Sequence, residues 1–284
     1  MTLRRAVAAA ALIGAFAGGA SADPAARGVF AALVVPSDDP PAALGAHARG
    51  CLAGGVALDP AGPDWQVMRP SRNRNWGHPE AIAFVERLGR AARAIGWPGL
   101  HVGDISQPRG GPMRSGHRSH QTGLDLDIWF RRPEERRLSR AERDSLSAVS
   151  MVAPGGREVS ARWSDGHVAL LRAAATDRAV ARIFVNPAIK SRLCRSVTGD
   201  RGWLRRIRPW WGHDAHFHVR LACPAGADGC EGQDPPPPGD GCDETLAWWF
   251  SEEARSPASS AEPRGPLRLS ELPVQLVREL VAWR

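Results

Sequence analysis

Tyrosine is absent from this 284-residue chain, and Lys190 is its only lysine. Its 37 basic residues against 30 acidic ones give a formal charge of +7, carried almost wholly by arginine. That sign favours an anionic surface or polymer. Charge alone separates neither a carboxylate-rich wall polymer nor nucleic acid, because an arginine- and alanine-rich composition also follows from codon bias. Several catalytic devices are missing too. No His-Glu-x-x-His segment occurs, which excludes a zinc site borne on one helix. There is no Gly-x-Ser-x-Gly elbow. Pro187 stands three residues before Lys190, so there is no Ser-x-x-Lys acylation centre and no Walker A loop. A serine enzyme acylated by penicillin is thereby excluded.

Long apolar runs are scarce. The one at the N-terminus follows Arg4 and Arg5, spans Ala6 to Ala17 and leads to Ala20-Ser21-Ala22, small residues suited to cleavage before Asp23. These are the parts of an export signal, residues 1–22. An uncleaved anchor is the rival reading, but the run is shorter than the roughly 20 residues of a spanning helix and is mostly Ala and Gly. Export predicts an oxidising compartment. None of the five cysteines forms a Cys-x-x-Cys pair, so a cysteine-ligated zinc ribbon is not expected. Cys223 and Cys230 flank a turn-rich loop that a disulfide closes easily. Cys194 with Cys242 is then the candidate second bridge, which leaves Cys51 odd. Spacing does not settle the connectivity.

No internal repeat is visible. Residues 23–60 are rich in Ala, Pro and Gly and are expected to be irregular. Helical spacing of Ile82, Val85, Leu88, Ala92 and Ile95, with Pro79 near the start, predicts a helix from Pro79 to Ile95. A second is expected over Val168–Ala181, capped by Ser164 or Asp165. Strands are expected at Leu100–Ile105, Leu124–Phe130, Arg182–Val185 and His216–Ala222. Pro235 to Pro238 is an extended punctuation. A short amphipathic stretch, Leu272 to Trp283, ends a polar tail.

Five of the nine histidines fall in two short segments, 116–127 and 213–218. His120, Asp127 and His218 supply two imidazoles and one carboxylate. Three such ligands leave a tetrahedral Zn²⁺ one open position, the composition of a catalytic rather than a structural site. Strand alternation places Asp125, Asp127 and Trp129 on one face of their strand, and His216, His218 and Arg220 on one face of theirs, with apolar side chains behind both. The loop before Leu124 then brings His120 over the same face. His216 is suited to act as general base, since histidine titrates near working pH. His117 and His213 are candidates either for direct catalytic help or for orienting a ligand. Asp125 is a candidate for orienting a histidine, with plain solvation as the alternative. Trp210 and Trp211 are expected at the core edge, with a groove wall as the alternative. Arg114 or Arg220 is a candidate partner for substrate carboxylates.

With these residues in view, the chain resembles the penicillin-insensitive murein endopeptidases, within the larger group that holds lysostaphin-type enzymes, D-Ala-D-Ala peptidases and hedgehog domains. The group pattern is His, six residues, Asp, and a distant His-x-His, here His120, Asp127 and His216-Phe217-His218. Closer likeness runs through Ser71–Pro79, Val102–Ile105, Gly116–Trp129, Arg182–Lys190 and Trp211–Pro224. The resemblance implies an α+β fold, with a small antiparallel sheet carrying the zinc site on one face, flanked by helices and long loops. A catalytic domain over 23–250 would carry a packed tail over 251–284. It further implies a periplasmic enzyme that hydrolyses D-alanyl–meso-diaminopimelyl cross-bridges of peptidoglycan, with no nucleic-acid partner and no membrane anchor after signal cleavage. His120, Asp127 and His218 fall on the zinc ligands, His216 on the catalytic base, and His117 and His213 on further active-site histidines. Similar proteins pair their early cysteine with one near the C-terminus, and this tail has none. A zinc D,D- or L,D-carboxypeptidase and a non-catalytic zinc-containing wall-binding module are the alternatives. Oligomeric state is not legible.

Overall fold

The computed structural model describes residues 25–255 and 265–272. The expected export signal and all of the Leu272–Trp283 stretch after Leu272 lie outside them. Residues 25–60 depart from the irregular segment expected there. A short helix, α1 (Ala26–Phe30), precedes a hairpin of β1 (Ala42–Ala46) and β2 (Arg49–Ala53), paired from Ala42–Ala53 to Ala46–Arg49. These strands lack the β-branched and aromatic residues that advertise a strand, and burial of Ala43, Leu44, Cys51 and Leu52 makes them one.

The main sheet is built from β3 (Trp65–Val67), β4 (Leu100–Val102), β5 (Asp125–Trp129), β6 (Val180–Val185), β7 (Ile207–Pro209) and β8 (His216–Leu221). Their spatial order is β3-β4-β5-β8-β6-β7. The four central strands are antiparallel neighbours, as expected, while the outer pairs β3–β4 and β6–β7 are parallel. The fold is α+β. Alternation holds: Leu126, Ile128, Phe217 and Val219 are fully buried on the apolar back, in one cluster with side chains from the helices. The opposite face carries the acidic and imidazole groups.

The longer helices after α1 are α2 (Pro79–Ala94), α3 (Asp165–Thr176) and α4 (Pro187–Ser196). Pro79 opens α2 behind His78, whose Nδ1 accepts from the Glu80 amide. The helix ends at Gly96, φ 75°, where Gly96 N–H bonds the Arg93 carbonyl and Trp97 N–H bonds that of Ala92. A glycine is needed there because this pair of bonds requires a left-handed residue. Helix α3 starts and stops before the limits expected from its apolar spacing. Residues 180–185 are drawn into β6 instead, where they bond to β8 on one side and β7 on the other. Tertiary pairing overrides local helix preference at that boundary. No helix among the described residues is long and apolar enough to cross a membrane.

Disulfides join Cys194 to Cys242 and Cys223 to Cys230, and Cys51 is free and buried. Cys51 sits in a small apolar cluster with Phe30, Leu44 and Leu272. The segment carrying Leu272 also receives a hydrogen bond from Ala26 N–H at the Leu267 carbonyl, 2.9 Å. This tail segment is thus held beside Cys51 by packing and backbone bonding.

Candidate metal centre

Register fixes the site. Across β5 and β8, His216 pairs with Trp129, His218 with Asp127 and Arg220 with Asp125. His218 therefore stands directly opposite Asp127, Nδ1 to Oδ1 3.3 Å. The third group arrives from the loop before β5. His120 adopts φ 66°, a left-handed conformation uncommon for a residue with a side chain. Its backbone carbonyl accepts from Ser106 Oγ at 2.8 Å, and its Nδ1–H donates to the Ile105 carbonyl at 2.7 Å. The β1–β2 hairpin braces the next residue: the Gln121 side chain bonds the Gly50 amide and the Ala48 carbonyl.

Three acceptor atoms consequently meet. The Ile105 carbonyl claims the proton of His120 Nδ1, so a neutral His120 presents a bare Nε2. Asp125 Oδ1 lies 2.7 Å from His218 Nε2 and claims that proton, so a neutral His218 presents a bare Nδ1. Asp127 Oδ1 is buried and has no hydrogen-bond partner. These three atoms are 3.1, 3.3 and 3.4 Å apart. A tetrahedral ion with bonds of about 2.0 Å needs ligand atoms about 3.3 Å apart. Three converging lone pairs with no proton among them are costly when buried, unless a cation lies between them. The residues fit a divalent metal ion.

The remaining expected residues surround this trio. His117, His120 and Asp127 also form a group whose ligand atoms lie within 4.8 Å of one another. His117 Nε2 is 3.7 Å from Asp127 Oδ2 but closer, 3.1 Å, to Asp104 Oδ2. Asp104 lies in the Val102–Ile105 stretch of family likeness, but no motif or spacing marks it as a site residue. It takes Arg74 at 2.8 Å and Arg72 at 3.2 Å as well; burial opposes its ionisation, but His117 and Arg74 outweigh burial and lower its pKa to about 2. His216 Nε2 lies 3.6 Å from Asp127 Oδ1, and burial lowers its pKa against the pull of that carboxylate. His213 donates from Nδ1 to the Trp211 carbonyl at 2.8 Å; burial, then His218 and His216, lower its pKa to about 4. Burial opposes ionisation of Asp127 too, but the surrounding His216, His120 and His117 hold its pKa well down. For His218 burial is outweighed by Asp125 and Asp127, and its pKa is raised.

A cleft of about 420 Å³ opens beside these groups, within the usual range for a ligand site. Trp210 and Trp211 line it and are 48 % and 47 % exposed, so they form a wall rather than a core edge. They are propped from outside by Trp249, whose ring is 4.4 Å from Trp211. His47, from the β1–β2 turn, faces the same cleft and has no signal in the sequence. Arg220 lines it; Arg114 is exposed and does not.

A sheet face bearing histidines and an aspartate around one ion-sized gap, open to a cleft, fits the site of a metallopeptidase. Its family follows from comparison with known proteins. The sequence profile of the penicillin-insensitive murein endopeptidases matches residues 43–278. A penicillin-insensitive murein endopeptidase of Haemophilus influenzae is 46 % identical over 231 residues, 81 % of this chain and 80 % of that one. Proteins of the same name from Klebsiella pneumoniae and Yersinia enterocolitica are 46 % and 43 % identical, covering 73 % and 80 % of this chain and 76 % and 83 % of theirs. The chain belongs to the penicillin-insensitive murein endopeptidase family, and it is a peptidase.

Proposed function

We propose that the chain is a zinc-dependent murein endopeptidase that hydrolyses D-alanyl–meso-diaminopimelyl cross-bridges of peptidoglycan in the periplasm. The observation that carries this reading is the convergence of His120 Nε2, Asp127 Oδ1 and His218 Nδ1 at the edge of the cleft, in a chain of this family. These three residues are the ligands we assign to Zn²⁺. When bound, the ion supplies Lewis acidity, polarising the scissile carbonyl and lowering the pKa of water.

The other side chains handle protons and position. His216, kept neutral by burial, accepts a proton from the attacking water at Nε2. His213 has its one N–H on the Trp211 carbonyl, so a neutral ring presents a bare Nε2. It accepts a hydrogen bond from water or from a substrate N–H, and is not an oxyanion donor. His117 is fixed by Asp104 with Nε2 3.7 Å from Asp127 Oδ2 and helps position the site; the proton taken up by His216 passes on to the departing amine. No nucleophilic serine takes part, which accounts for insensitivity to penicillin. The two disulfides suit an oxidising compartment and support a periplasmic location.

Digestion of purified sacculi by the protein lacking residues 1–22, read by mass spectrometry, tests this. Cross-linked dimers should become monomers, chelator should stop the reaction, and added Zn²⁺ should restore it. Shortening of monomeric stems with cross-links intact would replace this reading with a carboxypeptidase. Binding without released fragments would overturn enzymatic action on this polymer.

A further inference from the structure

One row of the sheet face beside the metal group has an unbalanced charge. Arg220 on β8 pairs with Asp125 on β5 on one side and with Arg182 on β6 on the other. Like charges directly opposite each other across two strands are destabilising. Arg220 and Arg182 nonetheless line the cleft together, while Asp125 is fully buried against Arg220. Asp125 is already committed: its Oδ1 accepts from Arg220 Nε at 2.7 Å and from His218 Nε2 at the same distance. Arg220 Nη1 donates to Gln233 Oε1 at 2.7 Å. Arg182 makes no ion pair with any described residue. Its Nη2 donates to the Asp234 carbonyl, and its buried Nε has no partner. Burial and then Arg220 act to lower its pKa, the direction expected of a guanidinium short of a counter-ion.

The position of this row carries the inference. Arg220 lies two residues along the strand from His218, on the same face, a step of about 6.8 Å. In the cross-bridge proposed as substrate, the amine side of the scissile amide comes from a carbon that also bears a free carboxylate. That carboxylate is separated from the scissile nitrogen by one carbon only. A bond held over His218 and Asp127, with its amine side toward the arginine row, brings the carboxylate to the guanidinium groups. Arginine forks suit a carboxylate, and such a charge-assisted contact is stronger than one between neutral groups.

We propose that Arg182 and Arg220 form a carboxylate subsite next to the metal group, which recognises the diaminopimelate carboxylate on the leaving-amine side of the scissile bond. The proposal rests on the endopeptidase reading above. It sets a specificity: cross-links whose adjacent carboxyl is amidated are poor substrates. Arg182 is the residue to change, because Arg220 also supports Asp125.

The test compares two cross-linked muropeptide dimers, one with that carboxyl free and one with it amidated, by kcat/KM. The wild-type enzyme should prefer the free acid roughly 10- to 100-fold. In Arg182→Gln that ratio should collapse towards one, with the loss falling on the free acid. Arg182→Lys, which keeps the charge without the fork, should retain part of it. Thermal unfolding of each variant shows whether it is folded, and the ratio is independent of the fraction of active enzyme. A wild-type enzyme that cleaves both dimers equally overturns the subsite and leaves the endopeptidase reading standing. Retention of the full preference by Arg182→Gln overturns the subsite in the same way. A wild-type enzyme that cleaves neither dimer overturns the endopeptidase reading and the subsite with it.

Discussion

His218 faces Asp127 across the β5–β8 pair with Nδ1 3.3 Å from Oδ1, and turns its other nitrogen to Asp125 at 2.7 Å. Asp125 thus selects which nitrogen of His218 is free to bind a cation, although it is not itself among the three converging atoms. Asp125→Asn replaces a charged acceptor with a neutral one. Metal affinity should fall about 10- to 100-fold. Competition against a chromophoric chelator measures this, and an unchanged affinity would contradict the role given to Asp125.

His216 and His120 are expected to separate proton handling from metal holding. His216→Ala should keep bound metal and lose about 10²- to 10⁴-fold in kcat. His120→Ala should lose metal and activity together. Metal content measured alongside turnover of cross-linked dimers checks both. Wild-type turnover by His216→Ala would remove the base assignment.

Lys190 gives stability a pH dependence. Its buried Nζ donates to the carbonyls of Leu204 and Asp240 at 2.9 and 2.5 Å, and burial, with Arg208 nearby, lowers its pKa from 10.5 to about 7. The folded value lies below the unfolded one, so between about pH 7 and 10.5 the unfolded chain binds more protons. Stability then rises with pH across that window, by up to about 1.4 kcal/mol per unit from this group. Below the window both states are charged and the cost of burying the ammonium is felt in full. Lys190→Met should abolish this slope. Urea unfolding at about pH 7.5, 8.5 and 9.5 reads it, and an identical slope in the variant would refute the assignment.

Cys51 should be chemically silent while the protein is folded. It is fully buried beside Leu272, and burial pushes its pKa up to about 12, so the reactive thiolate is not formed near neutrality. Iodoacetamide should label Cys51 only after denaturation. Rapid labelling of native protein would show that the tail segment does not seal this cluster.

Much of the site is legible in the sequence because strand alternation is a strict geometric rule. The faces of residues 124–130 and 216–222 follow from their order alone, and helix α2 follows from its spacing and Pro79. Residues whose positions depend on remote packing give no such signal. Asp104 meets His117 across an intervening loop and is held from elsewhere in the chain by Arg72 and Arg74. The β1–β2 hairpin carries His47 to the cleft and braces Gln121, yet its alanines and glycines carry no strand pattern. Hydrophobicity alone assigns Trp210 and Trp211 to the core edge. They stay about half exposed because their ring contacts are with Trp248 and Trp249, edge-on and tilted, rather than with the main core.

Two three-residue sets compete for the ion, since Asp127 and His120 are common to both and either His218 or His117 completes the trio. Metal content per chain, measured by plasma mass spectrometry on natively purified wild type, His218→Ala and His117→Ala, decides between them. One zinc in the wild type, one in His117→Ala and none in His218→Ala is the expected result. Zinc retained by His218→Ala and lost from His117→Ala would contradict it, as would a wild-type protein that binds no divalent ion.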